Sequence, residues 1–229
     1  MNLIYWDLET ADMVDFDDLS TSEISYACAL VDGEIRVYDL HNFDLLAREI
    51  EGADLSVTYN GLRFDNEVLQ AALPSRIQWP EHCDLHYLIT RAREGRRVNL
   101  DVLCRATIGR GKNGHGKDAP ALYREGRIAE LITYCISDVM LLPDLYQHIK
   151  TRGYIVDPYT LKAIPVEVPG GVPALQPPQV SHKDRYNGIT DKQVSFIRWL
   201  RNNRDWNPTD GMTSRQASDM IDTLRSTAP

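Results

Sequence analysis

The chain has 229 residues, of which 43% are hydrophobic and 25% are charged. This balance is typical of a globular protein with one domain, or one domain and a small addition, and it excludes a wholly disordered chain. No apolar run approaches the ~18 residues of a transmembrane helix, so no membrane partner is expected. The first ten residues include acids and lack the basic start of a signal peptide.

The net charge of −8 is unevenly distributed. Residues 1–66 contain 15 acidic residues and three arginines, whereas residues 91–130 contain ten lysines and arginines and five acidic residues. This division fits a carboxylate metal site beside a phosphate-binding surface, or two solvated faces that differ in charge. The four cysteines are scattered without paired spacing, which favours free thiols and a cytoplasmic location.

Strand patterns dominate the first part of the chain, and helical periodicity dominates the middle. Asp32-Gly33 is a hairpin signal between two β-prone runs, and Pro143 is expected to kink or split the longest helix. This order predicts an α/β fold with a mixed central sheet flanked by helices. The predicted elements are strands at 3–6, 24–31 and 34–40, a helix at 42–51, a strand at 55–59, and helices at 65–73, 84–94, 98–107 and 128–149.

The pattern changes after residue 155. Six prolines and two glycines fall within residues 158–178, which predicts an extended linker. Two capping motifs, beginning at Thr190 and Thr213, predict a small C-terminal helical hairpin that contacts a protein partner or the substrate. The expected division is a domain at 1–155, a proline-rich linker at 156–185 and a hairpin module at 186–229.

Asp7 and Glu9 stand one residue apart at the end of the first strand, so their side chains point to the same side. Two hard oxygen donors in this arrangement suit Mg²⁺ or Mn²⁺. Taken alone, the pattern also fits two ordinary acids at a strand end, because acids are common there.

Two further acids follow in motifs of their own. The segment Asn60-Gly-Leu-Arg-Phe-Asp65 follows a predicted strand. Asn60 and Gly61 are typical of a turn, and the side chain of Phe64 is expected to anchor the segment in the core. Asp65 would then bind a metal or cap the following helix. In the longest helix, Tyr134 and Asp138 share one face among apolar residues, so the acid needs a salt bridge or a metal.

In this order and spacing the three motifs resemble the DEDD superfamily of 3′–5′ exonucleases. Asp7-Leu-Glu9 matches the first motif, Asn60-x₃-Phe-Asp65 the second and Tyr134-x₃-Asp138 the third. The tyrosine is typical of the tyrosine (DEDDy) branch. Within that branch the chain is most similar to stand-alone exonucleases related to the proofreading domain of family B DNA polymerases. The resemblance covers about residues 1–150.

The resemblance implies a ribonuclease H-like fold and hydrolysis of phosphodiester bonds at the 3′ ends of DNA, mainly single-stranded or frayed. It implies two ions of Mg²⁺ or Mn²⁺ held by Asp7, Glu9, Asp65 and Asp138, with Tyr134 orienting the attacking water. Whether RNA is also a substrate stays open, because that choice depends on contacts to the 2′-OH. The residues expected to contact substrate are Thr10, Asn60, Phe64, Lys112 and Lys117.

The two lysines belong to a glycine-rich segment, 111–117, that narrowly misses the phosphate-binding P-loop because Asp118 stands where Ser or Thr is needed. A basic loop that touches the substrate backbone and a plain surface loop are the alternatives. Two other functions stay open for the whole chain: an endonuclease of ribonuclease H or resolvase type, and a non-catalytic nucleic-acid-binding protein. The oligomeric state stays open as well.

Overall fold

The computed structural model describes residues 1–15, 17–111 and 119–173, together with Ala217 and Met220. It confirms the expected α/β architecture, in which helices flank a five-stranded mixed sheet. The elements are β1 (Leu3–Thr10), a 3-10 turn (Leu19–Thr21), β2 (Ile24–Val31), β3 (Glu34–Tyr38), α1 (Phe43–Glu51), β4 (Leu55–Thr58), α2 (Asp65–Ala72), β5 (Glu81–Asp84), α3 (Leu85–Ala92), α4 (Leu100–Thr107), α5 (Ala119–Arg124), α6 (Ile128–Val139), α7 (Leu141–Arg152), β6 (Tyr154–Val156) and β7 (Ala163–Pro165).

Strand β1 is at the centre of the sheet, whose strand order is β3-β2-β1-β4-β5. It is antiparallel to β2 and parallel to β4, and β5 is parallel to β4. The β2–β3 turn is the predicted hairpin, with positive φ angles of 52° at Asp32 and 83° at Gly33. Because β1, β4 and β5 run parallel, their C-terminal ends meet at one edge of the sheet, called here the carboxyl edge.

The two faces of β1 have different roles. Ile4, Trp6 and Leu8 are buried in a core with residues of α1 and α2. Burial of each large apolar side chain stabilises the fold by about 1.5–3 kcal/mol, so this face fixes the orientation of the strand. The alternation of side chains then turns Asp7 and Glu9 to the opposite face, towards α6.

The long helical segment is divided into α6 and α7 at Met140. Pro143 is the third residue of α7. The first turn of a helix has no intrahelical acceptor for its N–H groups, so a proline there removes no hydrogen bond. The predicted split is therefore confirmed, and α6 packs separately against β1 and β2.

The short elements that the sequence analysis missed include β5 and α5. Strand β5 has the sequence Glu-His-Cys-Asp, and only its last two residues are buried, so it shows neither alternation nor an apolar run. Helix α5 has six residues with Pro120 in its first turn, which is too short for helical periodicity. In both, the neighbouring structure determines the conformation more than the local sequence does.

Residues 154–169 pack against the domain, in contrast to the extended linker expected from residue 156. Strands β6 and β7 pair in antiparallel, and Ile155, Val166 and Val168 are buried in a core that includes α3, α4 and α7. The hydroxyl of Tyr146 donates to the carbonyl oxygen of Pro169 at 2.7 Å. The prolines there end strands and shape turns within a packed segment.

The rest of the predicted linker and the hairpin at 186–229 lie outside the described residues, except Ala217 and Met220, which are both helical. The division of the chain into domains stays a prediction. Within the described ranges, no helix has the length and apolar character needed to span a membrane. Cys28, Cys83, Cys104 and Cys135 are free and buried, as expected for free thiols.

Candidate active site

Asp7 and Glu9 lie on the same face of β1 near the carboxyl edge, as their spacing predicts. Their side chains are partly exposed, whereas Trp6 and Leu8 on the opposite face are 0% and 3% exposed. On β2 the residue opposite Asp7 is Cys28, and the residue opposite Glu9 is Tyr26. The strand thus holds two carboxylates rigidly at the surface of a packed sheet.

Asp65 is the first residue of α2 and is 2% exposed. The backbone N–H of Leu8 donates to Asp65 Oδ1 at 3.2 Å, so this carboxylate contacts β1 midway between Asp7 and Glu9. The N-cap position is occupied by Phe64. The interpretation of Asp65 as a helix cap is therefore wrong, because its side chain bonds across to the neighbouring strand.

The surroundings of Asp65 disfavour its negatively charged form. Burial raises its pKa to about 7, hydrogen bonds from the N–H groups of Leu8 and Asp65 itself act against this, and the negative charges of Asp84 and Asp138 raise it further. Asp138 is therefore close enough to repel Asp65. A nearby negative charge raises the pKa of a carboxyl group, so the effect indicates that Asp84 and Asp138 both lie near Asp65.

Helix α6 brings Tyr134 and Asp138 to this face of the sheet, one turn apart. The thiol of Cys135 donates to the carbonyl oxygen of Asp7 at 3.6 Å, a contact that joins the helix to β1. Tyr134 packs with Tyr26, the cross-strand neighbour of Glu9, against a small apolar cluster of α5 and α6. The phenol therefore lies on the Glu9 side of the site.

Cys135 is the residue beneath the two β1 carboxylates. Its Sγ and carboxylate oxygens of Asp7 and Glu9 all lie within 4.8 Å of one another. A hydrogen bond with Cys28, burial and the charges of Asp7 and Glu9 hold the pKa of Cys135 well above its usual range. Mg²⁺ and Mn²⁺ prefer carboxylate oxygens to a thiol, so the oxygens of Asp7 and Glu9 are the donors that suit these ions.

This donor set fits a divalent cation. Oxygens of Asp7 and Glu9 are close enough to contact one ion, and Mg²⁺ and Mn²⁺ prefer carboxylate oxygens. Burial and the negative charges of Asp84 and Asp138 disfavour the ionised form of Asp65. A nearby cation would stabilise that form.

The loop between β4 and α2 is held from both sides. Oδ1 of the buried Asp84 accepts from the N–H of Asn60 at 2.9 Å, and Oδ2 accepts from the N–H of Leu62 at 3.1 Å. Thr58 Oγ1 accepts from the N–H of Gly61 at 3.2 Å. Asn60 has a φ of +82°, so the turn needs the tolerance of Asn for this conformation. These contacts determine where Asp65 begins its helix.

The predicted substrate residues have different surroundings. Thr10 is 6% exposed, and its hydroxyl donates to the carbonyl oxygen of Asp12 at 2.9 Å. Asn60 forms the turn, and Phe64 packs against the core of α1 and α2, as expected for a turn and an anchor. Their contact with substrate stays a prediction, and Lys112 and Lys117 lie outside the described residues.

Sequence reasoning missed Cys135 and Asp84. Cys135 precedes Asp138 by three residues, and this spacing on a helix was a signal that both share a face. Asp84 offered no comparable signal, because its role depends on the pairing of β5 beside β4.

Residues 5–150 match the sequence model of the RNase H superfamily. No curated protein sequence matches the chain significantly. Among solved structures, the family B DNA polymerase from the hyperthermophilic archaeon Pyrobaculum calidifontis is similar in fold, with a TM-score of 0.51 at 15% identity. The similarity covers 65% of this chain and 24% of the polymerase, so the chain spans about a quarter of that protein.

Proposed function

Because the chain belongs to the RNase H superfamily, we propose that it is a metal-dependent nuclease that degrades single-stranded or frayed DNA from the 3′ end. The superfamily supports a nuclease with a nucleic-acid substrate. The 3′–5′ direction and the preference for DNA are inferred from the motifs of Asp7, Glu9, Asp65, Tyr134 and Asp138.

The observation that carries the proposal is the hydrogen bond from the N–H of Leu8 to Asp65 Oδ1. It joins the acid of the second motif to the backbone of β1 between the two acids of the first motif, although Leu8 and Asp65 are 57 residues apart in the chain. The effect of Asp138 on the pKa of Asp65 adds the third motif to the same group. Separate salt bridges or helix caps would not require these acids to converge.

The residues have distinct roles in the proposed hydrolysis. Asp7, Glu9, Asp65 and Asp138 would hold two divalent cations, which supply Lewis acidity for the attack of water on phosphorus. Tyr134 orients the water by a hydrogen bond, a role that suits a phenol better than that of a base. A bond forms between the water oxygen and phosphorus, and the bond to the 3′ oxygen breaks. The leaving oxygen takes up a proton, and a nucleoside 5′-monophosphate is released.

Digestion of a 5′-labelled single strand tests this function. With Mg²⁺ or Mn²⁺ we expect a ladder of products shortened from the 3′ end, and with chelator we expect no products. A circular single strand of the same composition is the control, because it has no end and should stay intact. Cleavage of the circle would indicate an endonuclease, and an intact linear strand in both metals would indicate a binding protein without activity.

A further inference from the structure

A basic surface with an exposed aromatic ring lies beside the proposed active site, at the carboxyl edge of β4 and β5. We call it the α3 patch and define it by Leu62, Arg63, His86, Tyr87, Arg91 and Arg97. None of these residues belongs to the acids and the tyrosine of the three motifs.

The buried carboxylate of Asp84 joins the two parts of the α3 patch. Its Oδ2 accepts from the N–H of Leu62 at 3.1 Å, and its Oδ1 accepts from the N–H of Tyr87 at 3.0 Å. The loop after β4 therefore lies against the first turn of α3. Leu62 and Tyr87, which are 43% and 48% exposed, both reach the surface there.

The positive charges lie around the same turn. Burial lowers the pKa of His86, and the positive charges of Arg97 and Arg63 lower it further, against the opposing effect of Asp84. The guanidinium carbon of Arg91 is 5.7 Å from the centroid of the Tyr87 ring. Arg63, Arg91 and Arg97 are exposed, and none of them forms an ion pair with another described residue.

The α3 patch is adjacent to the acids. Only two residues of the loop, Arg63 and Phe64, separate Leu62 from Asp65. Asp84, which joins the α3 patch, also raises the pKa of Asp65 by its charge. A strand whose end is bound at the acids would therefore pass close to these arginines.

We propose that Arg63, Tyr87, Arg91 and Arg97 form a binding subsite for the single strand that leads into the active site. The guanidinium groups contact successive phosphates, and the Tyr87 ring stacks on a base. The chemistry of the patch favours a single strand because a base inside a duplex has no free face for an aromatic ring. This inference rests on the proposed function, which it extends by a route for the substrate.

Binding measured by fluorescence anisotropy in chelator tests the subsite independently of cleavage. The triple variant Arg63→Ala/Arg91→Ala/Arg97→Ala should bind a labelled oligothymidylate at least tenfold more weakly. Its slope of log K against log salt should fall by about 0.7 for each phosphate that the variant no longer neutralises. Oligouridylate in a parallel arm shows whether the subsite distinguishes RNA from DNA; weaker binding in either arm supports the proposal.

Two matched controls separate the loss of the subsite from a general loss of positive charge and from unfolding. Arg76→Ala removes an exposed arginine from the loop between α2 and β5, outside the α3 patch, and should bind like wild type. Tyr87→Phe keeps the ring and should keep the affinity, whereas Tyr87→Leu should weaken single-strand binding about tenfold.

Wild-type affinity in the triple variant, or an equal weakening in Arg76→Ala, would overturn the subsite. A chain that binds strands through the α3 patch but cuts none would leave the subsite standing and would overturn the nuclease.

Discussion

The ionisation of Asp65 opposes folding. Its pKa is about 7 in the folded chain, against 3.8 for an ordinary aspartate. An acid with a raised pKa stabilises the fold below its unfolded pKa, and this contribution is lost as the pH rises through the folded pKa. Asp65 should therefore favour the metal-free fold near pH 4 and cease to favour it above about pH 7.

Thermal denaturation in chelator measures this effect. Between about pH 5 and pH 8 the Tm of the wild-type chain should fall by more than the Tm of Asp65→Asn, because the amide cannot ionise. Mg²⁺ should restore more of the wild-type Tm at pH 8 than at pH 5. Parallel curves for the two proteins would contradict the assignment of the raised pKa to Asp65.

Tyr134 provides a second test at the residue scale. Tyr134→Phe should lower kcat about ten- to a thousandfold with KM nearly unchanged, since the phenol is proposed to contact the water and not the strand. Tyr123→Phe is the matched control, because Tyr123 packs against the same apolar cluster. Equal kcat values for Tyr134→Phe and wild type would show that Tyr134 only packs.

The loop between β4 and α2 is the element on which the position of Asp65 depends. A Cβ at Gly61 would lie 2.3 Å from Thr58 Oγ1 and 2.7 Å from Thr58 Cβ, so this loop passes β4 too closely for any side chain. Alanine there must displace either the loop or the end of β4.

Gly61→Ala should therefore cost about 1–3 kcal/mol of stability, as overpacked sites do, and lower kcat through the shift of Asp65. Gly52→Ala is the control, because its nearest neighbour would be the Arg48 carbonyl oxygen at 3.3 Å, at the end of α1. Steady-state digestion and urea denaturation of both variants measure the two effects. A fully active Gly61→Ala would mean that the loop does not position the acid.

The elements that were predicted correctly are those with strong local signals. Asp32-Gly33 specifies its turn through two positive φ angles, and Pro143 prevents one continuous helix. Strand β5 and the segment 156–169 were not predictable in this way. The four residues of β5 form a strand because β4 lies beside them. Val166 and Val168 are buried because α3 and α7 offer an apolar surface.

The same distinction applies to the candidate site. The spacing of Asp7 and Glu9 determines their common face, so the sequence was sufficient for that pair. The contact of Asp65 with Leu8 joins two elements through the parallel pairing of β1 and β4, which local spacing does not contain. Asp84 was missed for the same reason.

At the scale of the whole molecule, the packing of β6 and β7 defines how much of the chain the folded domain needs. Ile155 and Val166 are buried beside α7, and buried Asp157 accepts from Arg93 Nε at 2.7 Å. Removal of Asp157 would leave the buried guanidinium of Arg93 unpaired, which typically costs several kcal/mol.

We therefore expect a chain ending at residue 173 to keep its Tm and its kcat on short strands, and one ending at residue 154 to unfold or lose most of its stability. Circular dichroism melting of the two shortened chains and the full chain makes the comparison. If the chain ending at 173 loses kcat on short strands, residues 174–229 contribute to catalysis and the proposed domain division is wrong.

The convergence of acids on β1 is the central claim for the whole molecule, and the most direct measurement is the cleavage rate of Asp7→Asn in Mg²⁺ beside that of Asp44→Asn. Asp44 is an exposed acid of α1, paired with Arg48 at 3.1 Å, and provides the matched loss of one charge away from the site. We predict that Asp44→Asn shortens a 5′-labelled single strand at the wild-type rate and that Asp7→Asn keeps its fold and loses at least about a hundredfold in rate. A folded Asp7→Asn that cleaves as fast as Asp44→Asn would contradict the account.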